Sequence, residues 1–428
     1  MLSTLKDMFT RVFSSDTVLA KARESGAWKR LRSIHPFHFV LALVACAMGD
    51  EARSIATARR KFRKISGFMP EESSFYDRFT GATVVWLRGL FLQALEAATL
   101  ERRAALAELF DGTDIVDILA IDATQVALPA GAEQDYPSTT PGQGGFKLTV
   151  TLSVLYQRIR DIVVTDAKQH DSKAMKPPTK SAGLLLLLDR GYASIRRFFT
   201  IDQGHGYFAT PLKSDWTGTI ERIRSGLGQC HAGKPLDDNR PYRGTVDLDV
   251  SFRLSKSRRV TFRVVCVSGW RRLPDGGSEV VDIWLLTNLS PEQFSAEDVA
   301  SLYRYRFEIE QLFRVLKTVG RLDQLNSSKP EVFESFMYAT LLGMVVSQDI
   351  CAQMRRTRPE VEPSPHRVTA LVLDALPDIL RVLGTPEEET ELASFEQALW
   401  REGVNPNPGR PYTGTNYACD MRARRKAA

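Results

Sequence analysis

Residues 301–320, SLYRYRFEIEQLFRVLKTVG, carry two ordered stripes of side chains. Leu302, Tyr305, Ile309, Leu312, Leu316 and Val319 recur at steps of three and four, the spacing that predicts an α-helix with one buried face. Tyr303, Arg306, Glu310 and Lys317 repeat the same period one residue out of step, which turns them about 100° around the helix axis. A face that merely meets solvent has no need of that order.

From the start to about residue 112 the pattern is helical, with Gly and Pro punctuation near GFMPEESS at 67–74. It then turns to β. DIVDILAIDATQVALP predicts a strand ending near Asp122, FKLTVTLSVLY at 146–156 a second and RIRDIVVTDA at 158–167 a third. GLLLLLDRGY at 183–192 is the unbroken apolar run of a strand buried on both faces; SIRRFFTID follows as a helix and GYFATPLK at 206–213 as a strand. Between about 214 and 290 the alternating stretches TVDLDVSFRL, VTFRVVCVS and VVDIWLLTN predict antiparallel strands, with PDGG at 274–277 as a hairpin turn. SFMYATLLGMVVSQDICAQM at 335–354 is a long apolar helix, VEPSPHR breaks it from a helical tail, and GVNPNPGRPYTGTN at 403–416 reads as irregular. The order is that of an α/β (α+β) chain, a mixed sheet flanked by helices and interrupted by a β-rich insertion. It suggests a helical region at 1–114, a central domain at 115–345 and a helical region at 346–428.

Composition adds little: 43% hydrophobic and 25% charged residues in 428 describe an ordinary globular chain. A net charge of +6 leans mildly toward a polyanionic partner. The five cysteines are scattered without a CxxC pair, so free thiols in a reducing compartment are expected. No convincing signal peptide opens the chain and the apolar runs at 39–49 and 184–188 are too short to span a bilayer, which suggests a soluble cytoplasmic protein. The basic residues crowd at 52–66, where Arg53, Arg59, Arg60, Lys61, Arg63 and Lys64 stand almost unopposed by acids. That run is either a solvated helix face or a phosphate contact.

Three acids stand where acids are costly. Asp122 closes the apolar strand in LAIDAT, Asp189 closes the all-leucine strand in LLLLLDRG, and Glu310 lies on the second stripe. A strand-end aspartate commonly caps the turn that follows, and Arg306 with Glu310 at i,i+4 can simply support a helix. If the two strands are neighbours, however, both aspartates leave the sheet at one edge, and a helix across that edge brings Glu310 to them. Three hard oxygen donors without histidine or cysteine suit Mg²⁺ or Mn²⁺, and two such ions serve in-line phosphoryl transfer on a nucleic acid. Arg306 and Lys317 would then neutralise phosphates, with Tyr303 donating a hydroxyl hydrogen bond.

In YRYRFEIEQLFRVLK the order Tyr303, Arg306, Glu310, Lys317 resembles the Tyr-Arg-Glu-Lys signature of bacterial insertion-sequence transposases of the DDE class, type-4 group. IDAT at Asp122 and DRGY at Asp189 resemble that family's two earlier acidic motifs, and VVTDAKQHDSKA, with His170-Asp171, the segment between them; the likeness covers about 116–345. It implies a ribonuclease-H-like core with a β insertion before the glutamate. It also implies Asp122, Asp189 and Glu310 as ligands of two Mg²⁺ ions, with Mn²⁺ as substitute. The implied reaction is cut-and-paste transposition by hydrolysis and strand transfer. Double-stranded DNA, both terminal inverted repeats and target, is the implied partner, held by a synaptic homodimer. The N-terminal region would recognise the repeats, through residues such as Arg59, Arg60, Lys61, Arg63 and Lys64. Trp284 in DIWLLTN matches the tryptophan that stacks on a flipped base in relatives, although a strand tryptophan is often plain core; Trp270 is a second candidate. Two other functions stay open: a metal-dependent nuclease without strand transfer, and a DNA-binding descendant of a transposase.

Overall fold

A computed structural model describes residue 7 and residues 14–47, 51–97, 104–169, 181–226, 231–236, 245–272, 278–324, 327–382 and 385–406. His170-Asp171, Cys230, the PDGG turn, Cys419 and the tail from 407 lie outside the described residues.

Among the described residues the helices that precede the sheet include α1 Ser15–Glu24, α2 Pro36–Ala47, α3 Ile55–Ser66, α4 Glu72–Tyr76, α5 Gly81–Ala97 and α6 Ala104–Ala107. Helix α2 is apolar almost all round and most of its residues are buried. Helix α3 is amphipathic instead: Thr57, Ala58 and Phe62 are buried, Arg59 and Lys61 half-buried, and Arg60, Arg63 and Lys64 exposed. Its first turn is capped by the Ser54 hydroxyl, which accepts the Thr57 N–H at 3.1 Å, and it stops at Gly67, whose φ of 72° is left-handed. An aromatic seam of Trp28, Phe39, Phe75, Phe79 and Trp86 joins these helices, and Phe79 carries it to Phe336, ring centroids 6.0 Å apart.

The sheet elements are β1 Asp117–Leu128, β2 Gly144–Ser153, β3 Arg158–Asp166, β4 Leu184–Leu188, α7 Ile195–Gln203, β5 Tyr207–Pro211, β6 Thr219–Ser225, β7 Val246–Arg253, β8 Arg259–Arg272 and β9 Ser278–Thr287. They form one nine-stranded sheet in the order β3-β2-β1-β4-β5-β9-β8-β7-β6. Strands β1 to β3 are the expected meander, while β4 and β5 run parallel to β1. The insertion is part of this sheet, because β9 pairs antiparallel with β5.

The sheet departs from the sequence reading at two places. The first strand does not end near Asp122: its parallel ladder to β4 stops at Ile121↔Leu188, but its antiparallel ladder to β2 continues to Leu128↔Gly144 and keeps the backbone bonded. Strand β6 was not legible at all, because register shifts at Ile220/Arg222 and Ile223/Ser225 break the alternation of period two.

Among the described residues five helices follow: α8 Ala296–Tyr303, α9 Phe307–Thr318, α10 Pro330–Thr357, α11 Pro365–Val382 and α12 Glu388–Glu402. The single helix expected over 301–320 is interrupted by a 3₁₀ turn at Arg304–Arg306. Helix α10 is long and apolar enough to cross a membrane, yet 94% of its most apolar stretch is buried in the protein, against α2, α5 and α11. The larger core joins the N-terminal helices, one face of the sheet and α8 to α12; the smaller one lies on the other face under Phe198 and Ile201 of α7.

Candidate active site

Ile121 and Leu188 are the last parallel pair of β1 and β4, so Asp122 and Asp189 are the next residues out, on backbones about 5 Å apart. Side chains alternate along a strand. Ile118, Ala120, Leu185 and Leu187 belong to the larger core, and the two aspartates continue their side of the sheet. Helix α9 packs against that core through Ile309, Leu312 and Leu316. Its next face carries Glu310.

The joint between them is Arg306. Its Nη2 donates to Glu310 Oε1 at 2.6 Å, and its Nη1 lies 3.5 Å from Asp122 Oδ2. The arginine side chain is only 10% exposed, against 23% for Asp122 and 43% for Glu310, so the cation sits deeper than either anion. Burial raises the Asp122 carboxyl to about 6; the Ala123 N–H and Arg306 oppose that rise, and Asp189 and Glu310 add to it. Burial alone works against the Arg306 charge, but Tyr303, Glu310 and Asp189 outweigh it and raise its pKa. Asp117, at the other end of β1, shows what a structural acid looks like: it accepts the Ser153 hydroxyl at 2.7 Å and the Ile118 N–H at 2.8 Å.

Asp122, Asp189 and Glu310 supply only hard oxygen donors, the chemistry a small divalent cation takes. Among the described residues no three His, Cys, Asp or Glu side chains are grouped so that they could hold a metal ion as they stand. In this group the guanidinium takes the place between Asp122 and Glu310. By donor type the three acids suit a divalent ion, but in this arrangement the Arg306 guanidinium, not an ion, bridges Asp122 and Glu310.

The other candidates divide. The Tyr303 ring is buried and its hydroxyl donates to the Leu188 carbonyl at 3.4 Å, so it holds α8 to the end of β4 and is not turned outward toward a phosphate. Lys317 is half-buried, two turns and about 10 Å along α9 from Glu310. Trp284 sits half-buried on the opposite face of the sheet, against the smaller core, and is not brought to the acids. Trp270 pairs with Val280 in the β8–β9 ladder.

The basic helix is less unopposed than its sequence suggests. Glu51 pairs with Lys61 at 2.8 Å and with Arg60 at 3.6 Å, and Glu72 with Arg59 at 3.6 Å; acids outside the helix come back to it in space. Arg63 and Lys64 are exposed. Arg53 is buried and reaches the carbonyl oxygens of Gly320 and Arg321, a role that its place in a charge run did not signal.

A sequence profile described as Transposase DDE domain matches residues 116–345, from the start of β1 through the first half of α10. The chain is 40% identical over 68 residues to the transposase for insertion sequence element IS421 of Escherichia coli, a stretch covering 16% of this chain and 18% of that protein. It is 32% identical over 65 residues to the transposase for IS1151 of Clostridium perfringens, covering 15% and 14%. A longer likeness, 21% identity over 380 residues, links it to the transposase for IS231F of Bacillus thuringiensis subsp. israelensis and covers 78% of this chain and 77% of that one. The match spans both aspartate strands and the helix of Glu310. The chain belongs to the transposase DDE domain family.

Proposed function

We propose that the chain is a DNA transposase that cuts an insertion sequence at its terminal inverted repeats and joins the ends to a target, acting in the cytoplasm as a homodimer that holds two ends. The observation that carries this reading is the parallel pair Ile121↔Leu188, which sends Asp122 and Asp189 out side by side, with Glu310 tied to Asp122 through Arg306. The half-sheet β3-β2-β1-β4-β5 supports a ribonuclease-H-like core.

Asp122, Asp189 and Glu310 would hold divalent ions, Mg²⁺ with Mn²⁺ as substitute and two per site. When bound, such ions lower the pKa of an attacking water or hydroxyl and neutralise charge on the phosphodiester. The protein's own part is positioning. Strands β1 and β4 fix the two aspartates on a rigid edge, Tyr303 pins α8 to that edge, and Arg306 releases Glu310 to turn toward the phosphate of the bound strand. Lys317 extends the positive track along α9. Arg59, Arg60, Lys61, Arg63 and Lys64 of α3 would contact DNA within the 1–114 region, leaving 115–345 for chemistry and 346–428 for packing and assembly. Trp284 would serve a flipped base only if DNA reached the other face of the sheet.

The test incubates purified protein with Mg²⁺ and a labelled duplex carrying the element's end, beside Asp122→Ala, Asp189→Ala and Glu310→Ala. Cleavage and joined product from the wild type alone, with end binding kept in the variants, supports the reading. Cleavage without joining points to a nuclease. Binding without cleavage points to a DNA-binding descendant.

A further inference from the structure

Arg53 stands one residue before the Ser54 cap of α3, yet its side chain leaves the N-terminal region. Both terminal nitrogens donate to α9's exit turn, one to the Gly320 carbonyl and one to the Arg321 carbonyl. The residue is 8% exposed. Burial lowers its pKa to about 10, so it stays charged at neutral pH; two charge-assisted bonds satisfy its terminal nitrogens, while its buried Nε has no hydrogen-bond partner.

The turn is shaped to receive it. A Cβ on Gly320 would meet the Leu316 carbonyl oxygen at 2.6 Å and the Thr340 methyl at 3.0 Å, so only glycine lets α9 stop this close to α10. Arg321 has a φ of 39°, in the left-handed region. Gly320 follows Lys317 by three residues and Glu310 by ten. The residue that precedes the N-cap of the basic helix α3 is thus fastened to the turn that ends the helix carrying the acid.

We propose that Arg53 is a positioning residue for cleavage: it couples DNA held on α3 to the placement of α9, and so of Glu310 and Lys317. The inference rests on the proposed transposase reading. A merely structural arginine would lower binding, cleavage and thermal stability together. A coupling arginine acts after binding.

The test uses full-length wild type, Arg53→Lys and Arg53→Ala, read three ways. End affinity is measured by fluorescence anisotropy without divalent ions, cleavage by single-turnover rate in Mg²⁺ at saturating protein, and the clamp itself by amide exchange over residues 307–320 without DNA. Expected for Arg53→Ala is near wild-type end affinity, a single-turnover rate reduced about 100-fold, the order expected for misplacement by about 1 Å, and faster exchange confined to α9 and its exit turn. Arg53→Lys, which reaches one carbonyl, falls between. Added guanidinium far below denaturing concentration restores part of the Arg53→Ala rate. An unchanged rate in a folded variant, or parallel loss of affinity, rate and melting temperature, overturns the coupling. Should the wild type neither bind nor cleave, the transposase reading fails, and with it the coupling, while the exchange result still reports whether the clamp exists.

Discussion

Arg306 and Glu310 are joined by a 2.6 Å hydrogen bond whose arginine end also faces Asp122 at 3.5 Å. One buried guanidinium therefore serves as counter-charge to two of the three acids. Like carboxylates repel without such a charge, so a divalent ion held by the same acids would compete with the guanidinium.

Replacing Arg306 separates competition from catalysis. Arg306→Met without DNA is expected to bind Mn²⁺ about tenfold more tightly than the wild type, read as free Mn²⁺ by electron paramagnetic resonance. The same variant is expected to cleave more slowly. Unchanged Mn²⁺ affinity would show that the guanidinium does not compete.

The Asp122 carboxyl gives stability a pH signature. Its ordinary value of 3.8 rises to about 6 in the fold, so between those values the native chain keeps a proton that the unfolded chain has lost. The group's stabilising contribution is complete below the lower value and is lost as pH rises through the upper one. Asp122→Asn does not pay that cost, and relative to wild type it should gain about 1–3 kcal/mol across the window. Urea unfolding on both sides of the window checks this; a constant difference would place the shift elsewhere.

Arg263 is a further buried cation. It holds Asp247 with bonds of 2.9 and 2.7 Å and also donates to the Leu289 and Phe294 carbonyls at 3.1 and 2.8 Å, tying β7 and β8 to the segment that leads into α8. Arg263→Ala leaves the buried Asp247 carboxylate with only the more distant Arg224, 3.8 Å away, and should cost about 3 kcal/mol. Chemical denaturation measures the loss, and a cost below about 1 kcal/mol would mean that water replaces the guanidinium.

Helix α3 makes a claim about salt. Arg63 and Lys64 are exposed, whereas Lys61 is held by Glu51 at 2.8 Å. If the exposed pair meets phosphate, Arg63→Ala and Lys64→Ala should each flatten the slope of log affinity against log salt by about one. Lys61→Ala should flatten it less. Anisotropy titrations at several salt concentrations decide it.

The acids were legible because a carboxylate after LAI or LLLLL violates the apolar pattern around it, and Glu310 because its stripe keeps helical period. What surrounds them was not. Whether Arg306 faces phosphate or fills the gap between Asp122 and Glu310 depends on a rotamer, not on spacing. Arg53 looks like its basic neighbours in sequence, and only the chain's return at Gly320 shows that it is buried. The end of β1 was misread because pairing partners, not the strand's own residues, decide where a ladder stops.

The contact between β5 and β9 has a consequence in time. Ala209 to Pro211 are bonded on one side by Leu285 to Thr287, residues made much later. At ribosomal speed the intervening stretch takes roughly 4–15 s to emerge. For that interval the nascent half-sheet carries an open strand edge, its amides and carbonyls available to any other extended chain. Synthesis stopped before Leu285 leaves that edge open permanently, so a truncated product is expected to precipitate or occupy chaperones while the full-length chain stays dispersed.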